Sequence, residues 1–297
     1  MYLLNRKQRH TVNYTWMIVS LMLIALMPFF LFLGLYLKSF YLLHDFSLSE
    51  LLFSEVWRPS AGKFGFYPFI VGSIWVTLLA MLIAAPVCLL AAIYVTQYTR
   101  KYFLRIMHPA IDILAGIPSV VYGLWGILVI VPLISRYIGP VLGIKTMGYS
   151  ILAAAFVLAI MIIPFILNII IEIFRSIPVE LKEASLSLGA TQWQTIKKVM
   201  IRKALPGIIA ALGFGLARAF GETMAVLMVV GNVVKLPKSV FDAGYTLPAL
   251  IANNYGEMLS IPMYDSALML AALILFVVVL IFNFASRFLI VTSEKHS

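Results

Sequence analysis

The sequence predicts an all-α, polytopic membrane protein with six transmembrane helices. Of its 297 residues, 63% are hydrophobic and only 11% are charged, whereas a soluble domain is about 45–50% apolar and about 25% charged. Six stretches are long enough to cross a bilayer, for which about 20 apolar residues are needed. These spans use most of the chain, so we expect no separate soluble domain.

The limits of the six predicted spans follow the apolar stretches. The first stretch is too long for a signal-peptide core and lacks a small-residue cleavage site, so we interpret it as a retained anchor. The predicted spans are 14–37, 69–94, 106–134, 149–174, 205–234 and 267–290.

Lysine and arginine are unevenly distributed between the two sides of these spans. Fourteen of the 22 basic residues lie before span one, between spans two and three, between spans four and five, in the last turn of span six, or after it. Seven lie in the remaining connections, and Arg218 lies within a span. By the positive-inside rule, both termini are expected in the cytoplasm. The net charge of +10 is therefore interpreted as a topology signal and not as a sign of nucleic-acid binding.

The sequence contains no catalytic or metal-binding pattern. Cys88 is the only cysteine, which excludes an intramolecular disulfide. The four histidines lack the spacing of metal ligands. A glycine-rich phosphate loop, a nucleophile elbow and an HExxH motif are also absent. We therefore expect a non-catalytic protein without a bound cofactor or metal.

Arg218 and Glu222 are charged residues inside the fifth predicted span. A charged side chain in hydrocarbon costs at least roughly 2.5–3.5 kcal/mol, so such residues usually face a protein interior or an aqueous path. At a spacing of four on a helix, Glu222 would offset the charge of Arg218 and leave guanidinium donors free. These donors suit an oxyanion, and Thr223 adds a hydroxyl nearby. The alternative is that the pair only holds two helices together.

A second candidate site lies in the third predicted span. Gly116, Pro118 and Gly123 weaken regular helix there, and broken helices at membrane depth occur where they line a cavity. Ser119 and Tyr122 would contribute hydroxyl groups to that cavity. The alternative is that the small residues only allow close packing of helices.

Three further polar residues in the spans have more than one interpretation. Asp112 needs a partner or water, and a structural contact and a substrate contact are equally compatible with its position. Asn168 and Glu172, at the end of span four, share one helix face. They either orient the loop that follows or form a polar helix end.

The 175–204 loop, between spans four and five, predicts two short helices joined by a glycine turn. Pro178 begins the first helix, and Gly189 ends it in the left-handed conformation that helix ends often adopt. Thr191 then caps a second helix that continues into span five. This exposed loop suits docking into a groove of a soluble partner. An amphipathic surface turn is the alternative.

The 175–204 loop resembles the EAA loop of importer-type ABC permeases, which couples them to their ATPase subunits. It contains Glu183-Ala184-Ser185, then Gly189-Ala190-Thr191, and ends with Leu205-Pro206. The family pattern has alanine in place of Ser185, a departure that we expect to be harmless. The segments 57–73, 115–123 and 218–226 are similar to the phosphate-specific transport permeases, and to the PstC type more than to the PstA type. The resemblance covers almost the whole chain from residue 57 onward.

This resemblance implies the fold of a type I, MetI-like ABC importer permease. Residues 1–66 would form an N-terminal tail, the first helix and an outer loop, and residues 67–297 the permease domain. The resemblance and the residues together predict a substrate pathway lined by Arg218, Glu222, Thr223, Ser119 and Tyr122. They predict ATPase-coupling contacts from Glu183, Ala184, Ser185, Gly189 and Ala190. The expected location is the bacterial inner membrane.

The resemblance also implies partners, because the chain has no ATP-binding motif. They are two ATP-binding cassette subunits of the PstB type, a second permease of the PstA type and an extracytoplasmic phosphate-binding protein of the PstS type. Membrane lipid and inorganic phosphate are also expected to bind, and nucleic acid is not. The expected function is ATP-driven phosphate import, with this chain as half of the pathway. The alternatives are a permease for another oxyanion, such as sulfate or molybdate, and an ATP-independent channel.

Overall fold

The computed structural model describes residues 6–256 and 262–294. Lys295 and His296, which were counted above among the basic residues and histidines, lie outside the described residues. The helices are α1 (Arg6–Asp45), α2 (Leu48–Phe53), α3 (Tyr67–Gln97), α4 (Lys101–Gly116), α5 (Ser119–Val141), α6 (Ile151–Arg175), α7 (Val179–Ser187), α8 (Gln192–Phe220), α9 (Met224–Leu227), α10 (Leu247–Asn254) and α11 (Pro262–Glu294). A short hairpin pairs β1 (Trp57–Arg58) with β2 (Lys63–Phe64).

Six of these helices are long and apolar enough to cross a membrane, which confirms the predicted number. They are α1, α3, α5, α6, α8 and α11. The first span ends at Asp45 instead of residue 37, and two further predicted spans are misplaced. The third begins at Ser119 instead of residue 106, and the fifth runs from Gln192 to Phe220 instead of from 205 to 234.

The third span is displaced because the chain breaks between α4 and α5. Pro118 disfavours helical geometry in the residue before it, and Ile117 accordingly has an extended conformation with φ −66° and ψ 128°. As a result, α4 is a separate helix that packs on α6 through the buried Ile111. Helix α5 then continues to Val141 through two π-helical turns, Gly126–Ile130 and Ile134–Ile138.

Helices α3, α6 and α8 form the centre of the bundle. Helix α6 packs along α3 and α8, and most of its side chains are buried. Glycines on α8 permit this close approach, since a Cβ at Gly207 would meet Ile173 and one at Gly215 would meet Ile166. Helix α1 lies at the edge of the bundle against α11 and exposes much of its apolar surface.

The β-hairpin closes one end of the bundle. The Trp57 ring lies 5.1 Å from the Phe69 ring and 6.0 Å from the Tyr264 ring, measured between centroids. These contacts attach the segment between α2 and α3 to the beginnings of α3 and α11. The 175–204 loop lies at the opposite end, because α6 runs from one end to the other.

Candidate functional site

Helix α8 ends at Phe220, two residues before Glu222, the second charged residue of the candidate pair. The backbone N–H of Glu222 donates to the carbonyl of Ala219 at 3.2 Å, and the chain then leaves the helix. Two side chains stabilise this helix end by forming hydrogen bonds with nearby backbone groups. The Glu222 carboxylate accepts from the N–H of Ala225 at 3.2 Å, and the Thr223 hydroxyl donates to the carbonyl of Gly221 at 3.3 Å.

The predicted i, i+4 pair is therefore wrong in its geometry. Arg218 lies in the last turn of α8 and Glu222 lies beyond it, so they do not share a helix face. In the part of the chain that the structure describes, Arg218 and Glu222 form no ion pair with each other. The carboxylate of Glu222 instead holds the beginning of α9.

Arg218 is exposed on the single chain and lies over an aromatic ring of α6. Its guanidinium carbon is 4.7 Å from the centroid of Phe165, which is a cation–π geometry. Phe165 lies close to the midpoint of α6, a helix of 25 residues. Arg218 therefore lies beside the middle of a helix that is long and apolar enough to cross a membrane. The carbonyl groups at the end of α8 also favour a positive charge there.

The structure brings the two candidate stretches together through α9 and α5, which are in contact. A Cβ at Gly123 would overlap the side chain of Met228, and one at Gly126 would overlap Val157 and Val229. Glycine at these positions therefore allows the chain after the α8 end to pack directly on α5. For Gly123, the structure therefore supports the alternative that the small residue allows close packing.

The two hydroxyl-bearing residues of α5 have different environments. Tyr122 is buried, and its hydroxyl donates to the carbonyl of Leu114 at 2.8 Å. This bond fastens the end of α4 to α5, so the Tyr122 hydroxyl has a structural partner. Ser119 is half-buried at the first position of α5. Near it in sequence, Gly116 faces open space.

The 175–204 loop has the predicted turn and cap. Gly189 follows α7 with φ +82° and faces open space, which is the left-handed conformation expected at a helix end. Thr191 and Gln194 form a capping box at the start of α8. Glu183 and Ala184 are exposed on α7, while Ser185 and Ala190 are half-buried.

Side-chain hydrogen bonds fix this loop to the rest of the bundle. The hydroxyls of Ser185 and Thr195 are 2.9 Å apart, which joins α7 to α8. Gln97, at the end of α3, accepts from Lys182 through its side chain and from Gln192 through its backbone carbonyl, each at 3.0 Å. The Ser185 hydroxyl therefore makes a structural contact that alanine, the residue of the family pattern, could not make.

The comparison with known proteins decides the family. The profile of a family described as "Binding-protein-dependent transport system inner membrane component" matches residues 88–291. The chain belongs to this family. It is also similar to permeases named for phosphate transport, so the predicted PstC type is confirmed.

Three relatives illustrate the similarity of this permease at the sequence level. A probable ABC transporter permease, YqgH of Bacillus subtilis, is 39% identical, covering 91% of this chain and 86% of the relative. The phosphate transport system permease protein PstC of Xylella fastidiosa is 41% identical, covering 76% of this chain and 74% of the relative. The PstC protein of Pasteurella multocida is 34% identical, covering 97% and 92%.

Solved structures show the same fold at lower identity. A bacterial alginate ABC transporter matches with a TM-score of 0.62 and 15% identity, covering 93% of this chain and 94% of the matched chain. The methionine transporter MetNI matches with a TM-score of 0.57 and 21% identity, covering 80% of this chain and 99% of the matched chain. The permease therefore has the predicted MetI-like fold.

Family membership sets the general role of the chain. It is a non-catalytic, multi-pass inner-membrane subunit of an ABC importer. Importers of this kind combine such subunits with a separate ATPase, a permease partner and a binding protein. This agrees with the expectation of a chain that performs no bond chemistry.

Several contacts of the site were missed by sequence reasoning. Gln97 and Phe165 carried no local signal, because their partners lie far away in the sequence. Asp112 has the structural partner that was one of its two interpretations, since it accepts from Asn168 at 3.2 Å. Glu172 pairs with Arg175 at 3.0 Å, which agrees with a polar helix end.

Proposed function

We propose that this permease forms one half of the translocation pathway of an ATP-driven importer of inorganic phosphate. The observation that carries the proposal is sequence identity of 34% to a PstC protein over 97% of this chain. Identity of 41% to a second PstC protein over 76% of the chain supports it further.

The proposed anion site is centred on Arg218. A phosphate ion entering the membrane exchanges water for hydrogen-bond donors, and an arginine offers a planar set of donors that stays charged. The exposure of Arg218 on the single chain supports this role. Its contact with Phe165 leaves the edge of the guanidinium available, because a cation–π contact uses its face. The second permease would close the pathway around it.

Glu222 and Thr223 act in this proposal through the chain that follows α8. The carboxylate of Glu222 remains near Arg218 in sequence and lowers the local positive potential, which assists release of the anion. Its bond to Ala225 also orders the turn that contacts α5. Thr223 contributes a hydroxyl that is half-buried and bound to a backbone carbonyl.

Ser119 and Tyr122 receive different roles within the proposed pathway. Ser119 offers a hydroxyl at the break between α4 and α5. Tyr122 acts as a positioning residue, because its hydroxyl already binds the carbonyl of Leu114. Both helices at this break then move together when the pathway opens or closes.

Coupling to ATP hydrolysis is assigned to the exposed surface of α7. Glu183, Ala184, Ser185, Gly189 and Ala190 would dock into a PstB-like ATPase subunit, of which the complex has two. The bonds of Lys182 and Gln192 to Gln97 support this role, since they join the loop to the end of α3. A PstA-like permease and a PstS-like phosphate-binding protein complete the proposed complex.

The proposed orientation places both termini and the 175–204 loop in the cytoplasm. The distribution of basic residues supports it, and the loop must face the ATPase. The α2–α3 connection with its hairpin then faces the binding protein outside.

The proposal is tested by reconstituting the chain with its partner permease, ATPase and binding protein in vesicles. We expect phosphate-dependent ATP hydrolysis and accumulation of radioactive phosphate, with sulfate and molybdate failing to compete. Equal competition by sulfate would support the oxyanion alternative and overturn the phosphate assignment. Uptake without the ATPase would indicate a channel.

A further inference from the structure

We propose that a cleft between α8 and α11 binds the headgroup phosphate of an anionic phospholipid. The cleft has a volume of about 280 Å³ and is lined by Ala210, Phe214, Asn283, Ser286, Arg287 and Ile290. None of the residues assigned to the phosphate pathway lines it, so it is a separate site.

The polar side of the cleft consists of hydrogen-bond donors on one face of α11. Asn283, Ser286 and Arg287 have the spacing i, i+3, i+4, which places them on the same helix face. Arg287 is exposed and forms no ion pair with any side chain that the structure describes. The amide of Asn283 donates one hydrogen bond to Val279 at 2.9 Å and keeps a second N–H free. A guanidinium, a hydroxyl and an amide together match the acceptor oxygens of a phosphodiester.

The depth of the cleft places its charge close to the level of the lipid headgroups. Ser286 packs directly on Gly213, where a Cβ would overlap its hydroxyl. Gly213 precedes Arg218 by five residues, which is about 7.5 Å along α8 from Arg218 and so from the level of the middle of α6. Half of the hydrocarbon layer is about 15 Å. The long side chain of Arg287 therefore reaches the interface by extending toward the end that carries the 175–204 loop.

A second basic residue lies on the same face of α8, nearer the 175–204 loop. Lys203 is exposed and precedes Ala210 by seven residues, so both lie on the same face of α8, about 10 Å apart along the axis. Phe214 continues this face one turn farther into the membrane. The face thus runs from a cation at the interface to an aromatic wall in the hydrocarbon.

The apolar surroundings favour a lipid over free phosphate as the source of the headgroup. Phe284 and Phe288 on α11 are 69% and 73% exposed, and a soluble anion would gain nothing from them. An acyl chain would cover such rings while its phosphate binds Arg287 and Lys203. Basic pockets between transmembrane helices on the cytoplasmic side are suited to anionic headgroups. The choice of leaflet rests on the orientation in the proposed function.

The test measures lipid binding to the full-length chain, purified with its associated subunits, by native mass spectrometry. Phosphatidylglycerol and phosphatidylcholine are titrated separately. We expect Arg287→Ala to weaken phosphatidylglycerol binding about fivefold, as for the loss of one interfacial basic residue. Ala210→Phe, which fills the cleft without changing charge, should weaken it similarly. Binding of phosphatidylcholine should be unchanged in both variants.

Two controls make the result specific to the cleft. Arg100→Ala removes an exposed basic residue from the same side of the membrane but outside the cleft, and we expect it to bind phosphatidylglycerol as the original chain does. Inorganic phosphate is added in a separate titration and should not displace the lipid. The proposal is overturned if Arg100→Ala and Arg287→Ala weaken binding equally, if Ala210→Phe has no effect, or if inorganic phosphate displaces the lipid. A failure of phosphate transport would not affect this readout.

Discussion

Arg218 combines a position beside the middle of α6, an exposed charge and an aromatic neighbour. Arg218→Lys keeps the positive charge but loses the planar donors and the stacking on Phe165. We expect the variant to assemble normally and to lower the rate of phosphate uptake about tenfold, which corresponds to the loss of about one charged hydrogen bond. Arg136→Lys, at the far end of α5, is the matched control and should transport normally. Normal uptake by Arg218→Lys would remove the guanidinium from the mechanism.

Glu222 has both a charge and a hydrogen-bond role, which two substitutions separate. Glu222→Gln removes the charge but keeps an oxygen that accepts from Ala225. We expect normal assembly with slower turnover and half-maximal uptake at lower phosphate, because the site holds the anion more tightly. Glu222→Leu also loses the acceptor and should destabilise the turn by about 1–3 kcal/mol. Uptake kinetics of Glu222→Gln equal to those of the original chain would contradict the charge role, and equal thermal stability of the two variants would contradict the hydrogen-bond role.

At the scale of elements, the 175–204 loop follows local rules that the sequence displays. The left-handed turn at Gly189 and the capping box of Thr191 depend on neighbouring residues only, so both were predictable and are confirmed. The hydrogen bond from Ser185 to Thr195 was not predictable, because it requires the packing of α7 on α8. Local chemistry therefore predicts the shape of the loop but not its attachment.

Gly189→Val tests whether this shape serves ATPase docking. A β-branched residue at φ +82° strains the turn by about 1 kcal/mol or more. We expect weaker co-purification of the ATPase and slower transport, with normal membrane insertion. Gly62→Val is a matched control, since Gly62 has φ +65°, faces open space and lies in the hairpin at the opposite end. Equal loss of ATPase in both variants would indicate general destabilisation and not a docking role.

The two misplaced spans show what apolar composition leaves undetermined. The segments before Arg218 and after Thr223 are both apolar, so the apolar stretch continues to 234 although the helix ends at Phe220. The end depends on Gly221 and on side chains that bind the local backbone. The displaced third span, by contrast, had a visible cause in Pro118, which separates α4 from α5. A proline inside an apolar stretch is therefore a stronger sign of a helix boundary than the length of the stretch is of one continuous helix.

At the scale of the whole molecule, a single chain leaves its functional surface incomplete. Arg218 and the outer face of α5 are exposed, although they lie at membrane depth. Exposed charge at that depth requires a second protein surface or an aqueous path. The residues proposed for this surface stay a prediction from the sequence. Their mutual geometry depended on the helix break, and so the predicted pairing of Arg218 with Glu222 failed.

The proposed orientation relates this surface to the two sides of the membrane, and it is tested with single cysteines. Cys88→Ala first removes the native thiol, which is buried. Ser187→Cys and Lys63→Cys are then introduced at exposed positions on opposite ends of the bundle. Cells lacking the ATPase subunit are treated with a membrane-impermeant maleimide, so that docking does not hide position 187. We expect labelling at position 63 in intact cells and at position 187 only after permeabilisation. Labelling of both positions in intact cells would mean an error in the number of spans between them, since three crossings separate α2 from α7.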